Sequence, residues 1–274
     1  GSIGLNYSNK FGKDTKLTAS YFYNRQESEN NSASDRTTYF SDSLAQYTRS
    51  SSDRRSTNHN HRVTFRLEHA FDSANSIVLT PRFGFQRNRS SSTGLSSVTD
   101  DHGLELTGSR NENSALRDGL DFSNSLLFRH RFARKGRTFS ANLSTSIADQ
   151  HSENQLLAEN RFLSDTLSDV LLDQRADGNN TTQRHALELN YTEPVGKKGQ
   201  LQFKVEPTVQ LSDAEKLTQD LDAAGEATLN TRLSNMADNT IRTLRGGVGY
   251  RVKADRITFN AGVDGLATDM HSEQ

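Results

Sequence analysis

The sequence predicts an all-β chain, an antiparallel meander of about ten strands that is part of a larger transmembrane β-barrel. Three observations predict it. Apolar and polar residues alternate with a period of two over many segments, short polar turns recur at nearly even spacing near Gly12, Ala74, Lys135, Lys197 and Ala254, and longer polar segments separate the hairpins. Successive side chains of a strand point to opposite faces, so each segment has one greasy face and one that carries charge. A soluble sheet with one wet face alternates in the same way, and it is the repetition that discriminates.

The first hairpin pairs Ile3, Leu5 and Tyr7 with Leu17, Ala19, Tyr21 and Tyr23. The clearest strand, 58–71, sets His59, His61, Val63, Phe65, Leu67, His69 and Phe71 on one face, with Arg62, Thr64, Arg66 and Glu68 on the other. After a turn at 72–76, Ile77, Leu79, Pro81, Phe83 and Phe85 alternate with Thr80, Arg82, Gly84 and Gln86. Leu120, Phe122, Leu126, Phe128 and Phe132 then alternate with Asp121, Ser123, Ser125, Arg129 and Arg131, and the return strand sets Phe139, Ala141, Leu143 and Ile147 against serines and Asn142. Leu187, Leu189 and Tyr191 lead through 194–199 into Leu201, Phe203, Val205, Val209 and Leu211. The last pair carries Leu244, Val248, Tyr250 and Val252, then Ile257, Phe259, Ala261 and Val263. In this reading Val63, Phe65, Leu67, Leu79, Phe83, Leu126, Phe128, Phe203 and Val205 face lipid.

Hydrophobic residues make up 32% of the 274 residues, which is low for a chain that must bury a conventional core. Composition alone suggests disorder, but confinement of apolar residues to one face of each strand, diluted by polar loops, accounts for it better. Net charge is −1, with Lys+Arg 33 against Asp+Glu 34, so no global field favours nucleic acid or an acidic partner. The absence of cysteine removes disulfides, thiol catalysis and Cys-type zinc sites. No apolar run reaches the roughly 18 residues of a transmembrane helix, and no secretory signal opens the chain. The chain begins inside a strand and stops in polar residues after the tenth, so 1–274 reads as a fragment of one outer-membrane barrel domain.

Short turns alternate with polar segments at 28–57, 90–118, 148–182 and 212–239, read as long extracellular loops, which sets the short turns at the periplasm. Within 213–237 the spacing of Leu217, Leu221, Ala224, Leu229, Leu233 and Met236 suggests a short helix. Pro81 and Pro207 occupy matching places in second strands, where neither can donate a ladder hydrogen bond, and a local bulge is expected at each. Phe11, Phe71, Phe132, Phe139 and Tyr191 cluster near the short turns, as an interfacial aromatic belt requires.

The polar face supplies the candidate site residues, expected to face the lumen: Arg62, Arg66, Glu68, Arg82, Arg129, Arg131, Glu188, Lys204 and Glu206. Mixed charges there either pair and hydrate or select an anionic solute. His59, His61 and His69 share one face, a geometry that can bind metal but that hydration or lipid headgroups also satisfy. Asp165, Asp169, Asp173 and Asp177 recur every fourth residue, without the alternating oxygens and central glycine of a calcium loop. No metal or cofactor is expected. Nucleophile elbows, phosphate-binding loops and zinc-protease motifs are missing, and His102, His130, His151 and His185 have no nucleophile placed beside them by any motif, so no enzymatic activity is expected.

The phrases GSIGLNYSNKFGKDTKLTASYFYN, HNHRVTFRLEHAFDSANSIVLTPRFGFQRN and RTFSANLSTSIADQ resemble the C-terminal barrel of outer-membrane proteins related to TonB-dependent receptors, of the kind abundant in Bacteroidetes. They cover most of 1–150, and the remainder agrees in pattern. The resemblance implies a cell outer membrane location in a Gram-negative bacterium, contact with outer-membrane lipid, and uptake of an unidentified solute. It also implies coupling to a TonB-type energy-coupling complex through an N-terminal plug and associated parts that lie outside this sequence. A surface-binding or adhesion barrel without active transport is the alternative, because long polar loops suit either role.

Overall fold

The computed structural model describes residues 1–41, 44–163, 168–196, 198–253 and 257–273. The described residues form one antiparallel sheet of twelve strands. These are β1 (Ser2–Phe11), β2 (Thr15–Ser41), β3 (Leu44–Ala70), β4 (Asn75–Leu79), β5 (Arg82–Thr99), β6 (Glu105–Arg131), β7 (Thr138–Phe162), β8 (Val170–Val195), β9 (Gly199–Leu221), β10 (Ala227–Leu229), β11 (Asn235–Lys253) and β12 (Thr258–Glu273). Both β4 and β5 lie between β3 and β6, so they are two halves of one strand, and β10 is a short return on β9. What remains is the meander of ten long strands that the periodicity predicts. The turn centres at Lys197 and Ala254 lie outside the described residues.

Cross-strand register assembles one continuous apolar face. Leu17, Leu67, Leu79, Leu126, Leu143 and Leu187 follow one another across β2, β3, β4, β6, β7 and β8. Tyr191, Phe203, Val248 and Val263 continue it to β12. A one-residue slip anywhere would have moved a strand's apolar set to the other side. None occurs in this part of the sheet. These side chains nevertheless find no interior. Among the described residues the buried apolar side chains are Ala45, Ala158 and Ala186, no large side chain is fully enclosed, and Phe65, Phe83, Leu143, Phe203 and Val205 remain exposed. A sandwich would have brought them together; a single layer with a bare apolar face requires lipid.

Outward apolar positions run from Leu120 to Phe128 on β6, interrupted at Asn124, from Phe139 to Ile147 on β7, interrupted at Thr145, and from Leu201 to Leu211 on β9. About ten residues per strand is what a tilted transmembrane strand needs. The upper limit steps along the ladder between neighbours, with Phe85 still apolar on β5 while Leu187 is the last on β8 before His185.

The strands do not stop there, and this corrects the sequence reading. The expected loops at 28–57, 90–118, 148–182 and 212–239 are mostly ladder: β2 pairs with β3 down to Tyr39 and Ala45, and β3 pairs with β5 out to Tyr47 and Thr99. At about 3.3 Å per residue, the 27 residues of β2 extend roughly 90 Å, about three times the hydrocarbon thickness. Ser, Thr and Asn are wet on both faces there, so they carry no amphipathic signal, while the register inherited from the membrane part propagates outward. The helix expected within 213–237 is absent too: β9 continues to Leu221, and β10 folds back on it. Asp222 closes that turn by accepting from the Ala224 and Glu226 amides at 2.9 Å, with Gly225 at φ 83°. Asp100 and Gly103 repeat the device between β5 and β6, where Asp100 accepts from His102 and Leu104. Only a residue without Cβ takes that backbone conformation cheaply.

Neither proline carries the expected bulge. Leu79 pairs with Leu67 and Phe83 with Val63, the same register on both sides of Pro81. The Pro81 carbonyl still accepts from the Phe65 amide at 3.0 Å, so only the return bond is missing. Pro207 likewise stays in register opposite Leu244. The ladder spans one lost bond when its neighbours hold. Register shifts fall instead at Tyr39/Ser41 and Val98/Thr99, near hairpin tips.

Candidate functional site

The polar face is the candidate site. Register places Arg62, Arg66, Glu68, Arg82, Arg129, Arg131, Glu188, Lys204 and Glu206 on this one face: Thr64 meets Arg82, Arg82 meets Ser123, Arg129 meets Ser140, Ser140 meets Asn190, and Asn190 meets Lys204. Their electrostatics are uneven. Arg66 donates to Glu68 at 2.6 Å, and Lys204 bridges Glu188 at 3.0 Å and Glu206 at 2.9 Å, so the carboxylates among them are all engaged. Arg131 donates to the Ser73 carbonyl at 2.6 Å. Arg62, Arg82 and Arg129 have no ion-pair partner among the described residues.

A cavity of about 680 Å³ opens on the same face. Its lining draws on strands from β3 to β11, so the sheet curls around this side. Arg54, Arg117 and Lys216, which have no ion-pair partner among the described residues, supply its cations; Asp118, Asp121 and Glu215 also line it, and the rest is largely Ser, Asn and Gln. A smaller cavity of about 300 Å³ lies between Arg82 and Arg184. Sequence reasoning missed Arg54, Arg117, Arg184 and Lys216. The first two and Lys216 lie in segments read as loops; continuing the period of two outward from the apolar strands assigns each to the polar face.

The opposite face carries the other candidates. His59 and His61 share hydrogen bonds with the Tyr23 and Tyr21 hydroxyls at 2.8 and 2.9 Å, and His69 with Thr15 Oγ1 at 2.8 Å, so cross-strand hydroxyls occupy one ring nitrogen of each. Asp165 lies outside the described residues; Asp169 accepts from the Phe162 amide, while Asp173 and Asp177 belong to β8. His130 contacts Asn75, His151 contacts Asn179 and His185 contacts Thr145, and His102 lies 3.7 Å from Asp101.

Aromatic rings gather at the short-turn end, with Phe132 6.1 Å from Tyr191 and 4.4 Å from His130 between ring centroids. Just beyond them Glu193 is clamped by Arg137 through two bonds of 2.7 and 2.8 Å, by Arg134 at 2.7 Å and by the Tyr191 hydroxyl at 2.7 Å. The Arg137 guanidinium, then Tyr191, hold its carboxyl down at about 2. This cluster ties the β6–β7 turn to the end of β8, outside the apolar band.

A family model for outer membrane protein beta-barrels matches residues 130–274. No curated protein matches the sequence. Among solved structures, the RagAB peptide transporter aligns over 98% of this chain and 44% of its own at 9% identity and a TM-score of 0.39. The siderophore receptor PiuA from Acinetobacter baumannii aligns over 99% and 72% at 9% identity and 0.15, and the beta domain of the Bordetella autotransporter BrkA over 95% and 96% at 10% identity and 0.20. The chain thus spans less than half the length of the RagAB chain, and alignments this distant fix neither substrate nor mechanism.

Proposed function

The chain belongs to the outer membrane protein beta-barrel family and lies in the outer membrane, and from that premise we propose that it is one wall of a solute-uptake barrel energised by a TonB-type complex. The observation that carries the proposal is the division of faces: one continuous apolar surface, and behind it a curled polar surface with a cavity of about 680 Å³. A purely structural wall needs the first and not the second. In this reading the polar face lines the lumen, its cations meet solute, and no catalysis takes place.

A second reading, surface binding without transport, is favoured by the hairpins, which reach far beyond the bilayer. The two readings separate in one experiment. Cells with and without the whole protein are given a defined mixture of sugars, peptides and iron chelates, and depletion from the medium is followed by mass spectrometry with and without an uncoupler. Uptake predicts that a solute disappears only when the protein is present and the proton gradient is intact. Uncoupler-insensitive retention at the cell surface contradicts uptake and supports binding.

A further inference from the structure

Two rows on the polar face are built alike. In the first, cross-strand register runs Arg82, Ser123, Ser146, Arg184 over β5 to β8. In the second it runs Arg117, Ser152, Gly178, Lys216 over β6 to β9. Each row is a cation, two small residues and a cation. Three strand spacings of about 4.8 Å set the outer Cα atoms roughly 14 Å apart, so two extended basic side chains can close on one group above a floor of small residues.

The neighbourhood of each row fits an anion. Thr80, Ser125 and Ser144 add hydroxyls beside the first row, and no carboxylate lines its cavity of about 300 Å³. Arg54 joins the second row as a third cation in the larger cavity. Arg82, Arg184, Arg117 and Lys216 are all solvent-exposed and have no ion-pair partner among the described residues. The contrast lies on the same face, where Glu68, Glu188 and Glu206 are each matched by Arg66 or Lys204. Three carboxylates also line the larger cavity: that of Asp118 is taken by Arg87 at 2.7 Å, Glu215 alternates with Lys216 along β9 and so belongs to the opposite face, and Asp121 lies on β6 between Arg117 and Ser123, between the two rows. Unpaired cations in a concavity concentrate counter-ions, and guanidinium forks match oxyanion geometry.

We propose that these rows are two oxyanion-binding stations for a hydrophilic polyanion, a solute carrying several phosphate or carboxylate groups. Ser123 and Arg117 lie roughly 20 Å apart along β6 at about 3.3 Å per residue. A small anion therefore occupies one station at a time, and an extended oligomer spans both. This assignment rests on the uptake reading, since it takes the polar face as the solute's path.

The test measures binding by calorimetry on the whole protein in detergent, with inorganic tripolyphosphate as the phosphate probe, citrate as the carboxylate probe and maltotriose as a neutral control. Tripolyphosphate or citrate should bind at two sites, weaken as KCl is raised, and leave maltotriose unbound. R82Q/R184Q and R117Q/K216Q should each abolish one site or weaken it about tenfold or more, while R82K/R184K retains binding and R49Q leaves both sites intact. Heat-modifiable migration on gels verifies that each variant is folded. Unchanged binding in both glutamine double variants, or equal binding of maltotriose, overturns the proposal. Anion binding without energised uptake leaves the stations standing and removes the uptake reading; uptake of a neutral solute by a protein that binds neither anion does the reverse.

Discussion

The two ends of β3 make the same antiparallel ladder and hold it by different means. Toward the short turn, Val63, Phe65 and Leu67 face Tyr21, Ala19 and Leu17 in an apolar surface that only lipid can cover. Toward the hairpin tip the same face carries Arg55 bound to Glu29 and Arg49 bound to Asp35, both at 3.0 Å, and Ser50 meets Ser34 on the other. The first region is specified by what surrounds it, because a one-residue slip would put charge into lipid. The second is specified by pairing with its neighbours and by the register that the first region hands on.

A charge on the lipid face should do the most damage. Phe65→Arg should cost roughly 2–4 kcal/mol if the site lies near the bilayer midplane, and should reduce heat-modifiable barrel in outer membranes. Arg66→Ala, one residue along, removes an exposed ion pair with Glu68 and should leave assembly intact. Equal defects would mean that the two faces are not in different solvents.

At the short-turn rim stability should depend on pH. The Glu193 carboxyl, ordinarily near 4.5, is held at about 2, so the folded state binds its proton more weakly than the unfolded state does. The stability from its clamp is fully present above pH 4.5 and is lost as pH falls toward 2. The heat-modification temperature should drop across that window, and Glu193→Gln should flatten that part of the profile. A wild-type and a variant profile with the same slope would remove Glu193 as the cause.

The smallest effect is expected at the tip. Arg49→Ala breaks a pair whose side chains are 84% and 77% exposed, and should change stability by less than about 1 kcal/mol in thermal melts. A loss comparable to that of Phe65→Arg would show that the hairpins depend on individual charge pairs rather than on the ladder.

What the sequence disclosed follows the same division. Wherever lipid forces one face to be apolar, the period of two located strands, turns and faces, and residues such as Leu79, Phe128 and Val205 lie where alternation put them. Beyond the bilayer, runs such as 50–56 are wet on both faces and have the composition of coil, so alternation cannot tell ladder from loop there. The apolar spacing at Leu217 and Leu221 suggests a helix, yet both belong to the β9 ladder beyond the apolar band, where Leu217 pairs with Asp177 and Leu221 with Ala227. Proline chemistry was read correctly but its consequence was not, since a sheet held on both sides of Pro81 tolerates one missing bond without slipping. The candidate cations are legible where their strands alternate with apolar residues, while Arg54, Arg117 and Lys216 lie in polar segments that carry no such alternation.

One ladder passes from lipid to water while keeping its faces, and this can be measured residue by residue. The chain contains no cysteine, so single cysteines can be introduced along β3 and spin-labelled in the assembled barrel. Collision rates with oxygen, which concentrates in lipid, and with a polar nickel chelate, which stays in water, then report the solvent of each face. Positions 63, 65 and 67 should favour oxygen and positions 62, 64 and 66 the chelate, with the alternation vanishing over 50–55, where every position should favour the chelate. A uniform profile across 62–67, or an alternation that continues undiminished through 50–55, would contradict it.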